Sequence, residues 1–298
     1  SETWGDRVIR EARRRSVPVI SGERSRRPCV SSVSIDNAEA VDLAFRYLTS
    51  LGRKRLALYS VNPASNADPD KAEAFAALTG SREGIFTNNG LLSDLFARIE
   101  PRLDSFDGIV CTNGYAALSL VRHLKESGRD PVRYYIVSLS HMNLFSRISP
   151  SITEISADTS GFGPAVYAAY RILSQKENAV SSVNVFLKNR LTVRESTECR
   201  QMGAFPAEAA PAETPRKNSF FTDSEIRDSA KLETLLSESD DADLSIVDLL
   251  LSGRSVREIA EICYLSETAV KYRLKNMRSV CAQKSREDLI RFLRGYLR

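Results

Sequence analysis

Between residues 17 and 193, short apolar runs alternate with segments of helical spacing, and no other feature restricts the possible folds as strongly. The apolar runs fall at residues 17–20, 33–35, 56–59, 108–111, 134–139, 152–155, 183–187 and 191–193. The helical patterns fall at 38–51, 70–78, 116–126 and 162–173. Runs this short suit strands, and strands separated by helical segments are joined by crossovers. The pattern predicts an α/β domain with parallel sheets, in which ligands sit beyond the carboxyl ends of the strands. Gly52 and Gly128 each follow a helical pattern and are expected to end it, since glycine enters the left-handed region without a Cβ clash.

A chain of 298 residues is too long for one average domain and suits two. No run of 18 apolar residues is present to cross a bilayer, and the polar opening, Ser1-Glu2-Thr3-Trp4, lacks an export signal. Cys29, Cys111, Cys199, Cys263 and Cys281 are far apart, and His123 and His141 are the only histidines. No metal-ligand spacing results, and no cofactor is expected. The thiols read as small buried hydrophobes in a reducing, cytoplasmic compartment. The absence of a nucleophile elbow, a P-loop and a G-x-G-x-x-G motif argues against an enzyme.

Charge divides the chain into three parts. Residues 1–197 hold 26 Lys and Arg against 21 Asp and Glu, a net +5. Residues 198–243 hold 5 against 11, a net −6, and residues 244–298 hold 11 against 6, a net +5. A basic module behind an acidic segment is the footprint of a nucleic-acid binder. The middle part reads as a linker: Pro206 to Pro215 is a Pro/Ala tether, and residues 224–237 suggest a short helix with Ile226, Leu232, Leu235 and Leu236 as its apolar positions.

In the last part, Ile246, Val247, Leu249 and Leu250 mark a helix stopped by Gly253. Ser255 and Glu258 form a capping box that starts a second helix, with Val256, Ile259, Ala260 and Cys263 apolar. Ser266 caps a third, in which Val270, Leu274, Met277 and Cys281 make one buried stripe. Thr268, Tyr272 and Lys275 fall on the opposite face, flanked by Lys271 and Asn276, a composition that suits a major groove. A final helix at 286–297 offers Leu289, Ile290, Leu293 and Leu297 for packing or dimerisation. A helical bundle with a solvated basic face would share this spacing. Two capped helices joined by a tight turn favour helix-turn-helix instead.

The stretch from Leu249 to Ile290 resembles the LuxR-type (GerE-like) helix-turn-helix. It carries Gly253, the S-x-x-E-I-A segment at 255–260, and a recognition-helix opening at 265–271, with Ala269 where the family has Thr. Lys284-Ser285-Arg286 matches the basic turn, and Ser245 replaces an acidic residue of the first helix. The resemblance implies that Lys271, Tyr272 and Lys275 face bases or nearby phosphates of double-stranded DNA, with Thr268, Arg257 and Ser255 near the backbone. Half-site logic adds a homodimer.

Residues 1–197 resemble the effector-binding core of LacI/GalR-type regulators, which is akin to periplasmic sugar-binding proteins. The matching pieces are VPVI (17–20), VSIDN (33–37), LGRKRLALYS (51–60), KAEAF (71–75), FDGIVCTNGYAAL (106–118), YIVSLS (135–140), PSITEIS (150–156) and VRESTE (193–198). The resemblance implies a two-lobed, periplasmic-binding-protein-like fold whose first lobe is incomplete: residues 36–150 and 183–197 in one lobe, 1–35 and 152–176 in the other. It also implies an effector site at Lys71, Asn113, Ser140 and His141. Family members carry Arg at Lys71, Asp at Gly114 and Asp at Ser140, so the site has lost its family carboxylates. Either it takes a small-molecule effector, sugar-like or anionic, or the pocket is degenerate and the domain serves dimerisation or protein partners. A solute-binding receptor is a third reading.

The expected organisation is therefore an effector-binding domain at 1–197, an acidic linker at 198–243 and an all-α DNA-binding module at 244–298. A flexible linker transmits orientation poorly, so effector control would act through dimerisation or through the 224–237 helix.

Overall fold

The computed structural model describes residues 3–25, 27–88, 90–175, 180–198 and 220–297. The tether at Pro206 to Pro215 and Cys199 lie outside the described residues. The α/β part runs α1 (Trp4–Arg14), β1 (Ile20–Ser21), β2 (Ser31–Ile35), α2 (Asn37–Ser50), β3 (Leu56–Val61), α3 (Asp68–Thr79), β4 (Ile85–Thr87) and α4 (Leu92–Ile99). It continues with β5 (Gly108–Cys111), α5 (Gly114–Glu126), β6 (Ile136–Ser138), β7 (Thr153–Ala157), α6 (Phe162–Leu173), β8 (Asn184–Leu187) and β9 (Asn189–Thr192). Five helices follow: α7 (Ser224–Glu238), α8 (Asp241–Leu251), α9 (Val256–Ile262), α10 (Glu267–Val280) and α11 (Arg286–Arg294). β4 and α4 fall between the patterns expected at 70–78 and 108–111, and Leu92, Leu95, Phe96 and Ile99 form the buried stripe of α4.

The strands form two sheets, one of three strands in the order β1-β2-β8 and one of six in the order β4-β3-β5-β6-β7-β9. All pairings are parallel except β7 with β9. Central strands of the larger sheet are buried on both faces, as a parallel sheet covered by helices requires. Leu58, Val110 and Val137 pack with Val41, Ala44 and Leu48 of α2 and Phe75 of α3. Ala57, Tyr59, Ile109, Cys111 and Ile136 point the other way, into a core shared with Leu95 and Ile99 of α4 and Leu120 and Leu124 of α5. The strand period of two separates these cores. Helix α2 begins where the Asp36 carboxylate accepts the Ala38 and Glu39 amides, both at 3.0 Å. Gly52 and Gly128 follow α2 and α5 with φ of 78° and 73°, as expected.

Two expected lobe assignments are corrected. β7 belongs to the larger sheet, where Val137 pairs with Thr153, and β8 belongs to the smaller one, where Val33 pairs with Val185. The chain therefore crosses between sheets after β2, after β7 and again between β8 and β9. Hydrophobic runs alone do not say which neighbour a strand chooses; backbone pairing decides it. The crossings are tied together: Asp158 N donates to Lys188 O (3.2 Å), and Asn189 Nδ2 donates to Asp36 O (2.9 Å).

The C-terminal helices do not float behind a tether. Ile226, Leu232 and Leu235 of α7, Ile246 and Leu250 of α8, Leu274 of α10, and Leu289 and Leu293 of α11 join the same apolar cluster that fills the α4/α5 face of the larger sheet. Arg147 and Asp248 add an ion pair across this junction at 3.4 Å.

Candidate functional site

The chain offers two candidate sites, one at the strand ends of the larger sheet and one on α9 and α10. At the strand ends, β3, β5 and β6 deliver Asn62, Thr112 and Ser140 to one edge. Lys71, from the first turns of α3, reaches the same edge: Nζ donates to Thr112 O at 2.8 Å and pairs with Asp68 Oδ1 at 3.0 Å. Both side chains are buried. Asp68 Oδ2 also accepts the Asn62 amide at 2.9 Å. Asn113 caps α5 by accepting from Ala116 N (3.0 Å) and donates to Thr112 Oγ1 (3.2 Å). Ser138 Oγ donates to Ser140 O at 3.2 Å. Next along the chain, His141 is half exposed, with Nδ1 2.9 Å from Glu154 Oε1.

Lys71, Asn113 and Ser140 are thus gathered around Thr112, Ser138 and the start of α5, with His141 beside them. Gly114 permits the gathering: a Cβ there would lie 2.3 Å from Met142 Sδ and 3.1 Å from Ser140 Oγ. The family positions Gly114 and Ser140 carry no acid, but two acids not singled out in the sequence stand at this edge. Asp68 neutralises Lys71. Glu154, buried in β7, meets His141 and, at 3.2 Å, Arg194, while its Oε2 is buried with no hydrogen-bond partner. Both left a signal. Asp68 sits three residues before Lys71 on one helix, and a glutamate inside an apolar strand run rarely stays buried without a partner. Cys111 lies under this edge, and burial pushes its thiol far above the usual range, so it has no nucleophilic part.

The second site is built from caps. Ser255 Oγ accepts the Glu258 amide (3.3 Å), and Glu258 Oε2 accepts the Ser255 amide (2.8 Å). This capping box holds the Glu258 carboxyl at about 2, the backbone bond to Ser255 being the main cause, with the Ser255 hydroxyl and Arg254 assisting. Residues 263–266 then turn the chain, with Tyr264 at φ 54°, and Ser266 caps α10 through Ala269 N at 3.1 Å. Val270, Leu274, Met277 and Cys281 are buried, as their spacing predicted. Thr268, Lys271, Tyr272, Lys275 and Asn276 are exposed on the outer face, and Ser255 and Arg257 are exposed on α9. Tyr272 is 65% exposed. Lys271 and Arg257 touch only acids one helical turn away, Glu267 at 3.2 Å and Glu261 at 3.1 Å, pairs too exposed to hold them. Tyr264, in the turn before α10, is 96% exposed and had no helical periodicity to mark it. Arg273 instead turns to the start of α8, bonded to Asp240 (2.9 Å) and Asp243 (2.8 Å). The leucines of the last helix go to packing: Leu289, Leu293 and Leu297 are buried within the chain.

Among the described residues no group of histidine, cysteine, aspartate and glutamate side chains is arranged to hold a metal ion, and no helix is long and apolar enough to cross a membrane.

No match was found among curated proteins. Among solved structures the chain is similar to the transcriptional regulator CelR in complex with cellobiose, at 20% identity and a TM-score of 0.53, over 64% of this chain and 62% of that one. It is also similar to a periplasmic binding protein/LacI transcriptional regulator from Alkaliphilus metalliredigens QYMF complexed with D-xylulofuranose, at 19% identity and a TM-score of 0.52, over 61% and 71% of the chains. A third is a LacI family regulator from Enterococcus faecalis V583 with bound ribose, at 18% identity and a TM-score of 0.54, over 66% and 74%. The chain thus spans less than two thirds of the CelR chain, and at these identities the likeness is one of fold. Residues 45–197, more than half of the chain, match the family model of the periplasmic binding protein-like domain, and the chain belongs to that family.

Proposed function

We propose that this protein is a sequence-specific, DNA-binding transcription regulator, non-enzymatic and cytoplasmic, acting as a homodimer. In this reading α9 and α10 are a LuxR-type helix-turn-helix, and the α/β part is its sensor. One observation carries the DNA assignment. Helix α10 buries Val270, Leu274, Met277 and Cys281 and leaves Lys271, Tyr272, Lys275 and Thr268 on an open face. A helix held by one stripe and open on the other can enter a major groove, where cations meet guanine edges or phosphates and the Thr268 methyl meets thymine methyls. Ser255, Arg257 and Tyr264 then flank the phosphate backbone.

For the sensor we infer a small polar effector held between the lobes by Ser140, His141 and Asn113, with Lys71 positioning the edge. The Lys71 charge is matched by Asp68, which favours an uncharged, sugar-like ligand over an anionic one. The solved structures with cellobiose, D-xylulofuranose and ribose bound agree with that class. The second reading, a sensor that serves only dimerisation or protein partners, is favoured by the internal bonds that already engage Lys71 and Asn113.

The test is selection from random duplex DNA at fixed salt, with a Lys271→Ala, Lys275→Ala control. A recovered motif of two related half-sites that the control loses is the expected result. Absent binding, or binding in which the control behaves like the parent, would remove the recognition-helix assignment.

A further inference from the structure

Three acids of α7 and its cap fasten that helix to the α/β part, each on a different element. Asp223 Oδ2 accepts the Leu92 amide at the start of α4 (2.8 Å). Glu225 accepts from Ser119 Oγ of α5 (2.7 Å) and lies 3.4 Å from His123 Nε2. Glu233 takes two adjacent amides, Asn143 N on Oε1 (2.7 Å) and Leu144 N on Oε2 (3.1 Å).

The third attachment differs from the others in where it leads. Asn143 and Leu144 open a single helical turn at Asn143–Ser146, directly after Ser140, His141 and Met142. One end of this short loop lies at the candidate effector edge, with Met142 seated against Gly114. The other end hangs on one carboxylate of α7. Helix α7 in turn packs on α10, and Leu235 and Glu238 share a groove with Tyr272, Asn276 and Met277. A carboxylate accepting two backbone amides is a charge-assisted, directional clamp, so displacement of the loop is passed to the helix rather than absorbed.

We propose that Glu233 couples the effector edge to the DNA-reading helix. A ligand that engages Ser140 or His141 moves the 140–144 loop, the clamp transmits that movement to α7, and α7 resets the seat of α10. The inference rests on the DNA-binding role proposed above, and it makes α7 part of the sensor rather than part of a linker. Coupling is reciprocal, so DNA held by α10 must alter the 140–144 loop as strongly as the loop alters DNA binding.

The full chain is examined by amide hydrogen exchange in a cycle of Ser140→Asp, Glu233→Ala and the double variant, with Gly114→Ala as a second way of displacing the loop from the cleft side. The expected result is that Ser140→Asp or Gly114→Ala speeds exchange at residues 224–238 by about fivefold or more, and that Glu233→Ala abolishes this response. A response that persists unchanged without Glu233, or none at 224–238 from either loop variant, overturns the proposal. The duplex recovered by selection is then added. Exchange at Asn143 and Leu144 should slow in the parent and not in Glu233→Ala; no change in the parent also overturns the coupling. If the chain binds no specific duplex, the regulator reading fails, and the exchange cycle still decides whether Glu233 links the loop to α7.

Discussion

Separating Lys71 from Asp68 should destabilise the α/β part far more than removing both charges. Their atoms lie 3.0 Å apart, and the side chains are 9% and 6% exposed, so neither charge can recover its solvation if left alone. Breaking a buried pair at one partner costs about 3–5 kcal/mol. Asp68→Asn retains an acceptor for the Asn62 amide but leaves the Lys71 ammonium with only Thr112 O. Lys71→Met leaves the Asp68 carboxylate with only the Asn62 amide. At about 2–4 °C per kcal/mol for a domain of this size, each single variant should lower Tm by roughly 6–20 °C. The double variant Lys71→Met, Asp68→Asn buries no lone charge. It loses about one hydrogen bond's net worth, roughly 1–2 kcal/mol. Thermal unfolding of the full chain, followed by near-ultraviolet circular dichroism, measures all four proteins. Single effects below about 2 °C, or a double variant that equals the sum of the singles, would refute the reasoning that Asp68 neutralises a buried lysine.

Leu274→Ala should cost about 2–5 kcal/mol in the C-terminal helices because Leu274 is buried under α10, whereas Lys275→Ala should leave unfolding within about 0.5 kcal/mol. In DNA titrations at several salt concentrations, Lys275→Ala should instead flatten the log–log slope by about 1 if it meets a phosphate. Glu258 is held at about 2, below its unfolded value of 4.5, so its capping contribution is full above about 4.5 and is lost as pH falls toward 2. Protection of the α9 amides, taken as the exchange rate relative to the intrinsic rate at each pH, should fall over that window in the parent, and Ser255→Ala should weaken the dependence. The Cys281 thiol is pushed up to about 11, mainly by burial, so at neutral pH iodoacetamide should label exposed Cys29 well before Cys281, as read by peptide mass spectrometry.

What the sequence made legible follows from local periodicity and capping. The buried stripe of α10, the box at Ser255 and Glu258, the glycine stops at Gly52 and Gly128, and the alternation of strands with helices all depend on residues within a few positions of each other. The stripe was readable because 3.6 residues per turn place Val270, Leu274, Met277 and Cys281 on one side, whatever packs there. The candidate cleft residues were legible only through resemblance, since Lys71, Asn113 and Ser140 come from three separate elements. The partners that change the meaning of that cleft, Asp68 and Glu154, were visible as anomalies but could not be paired with anything before folding.

Tertiary structure alone decided which sheet each strand joined and what the acidic segment does. Pairing of β7 with β6, and of β8 with β2, is a competition between neighbours that apolar runs do not resolve. The charge of residues 198–243 read as the mark of a linker. Yet Asp223, Glu225 and Glu233 are spent on the Leu92 amide, the Ser119 hydroxyl and the Asn143 and Leu144 amides, groups 89 to 131 positions away in the chain. A carboxylate in sequence shows its charge and hides its acceptor geometry. Only a fold that brings an unpaired helix end or an open turn against it reveals that the charge is a clamp.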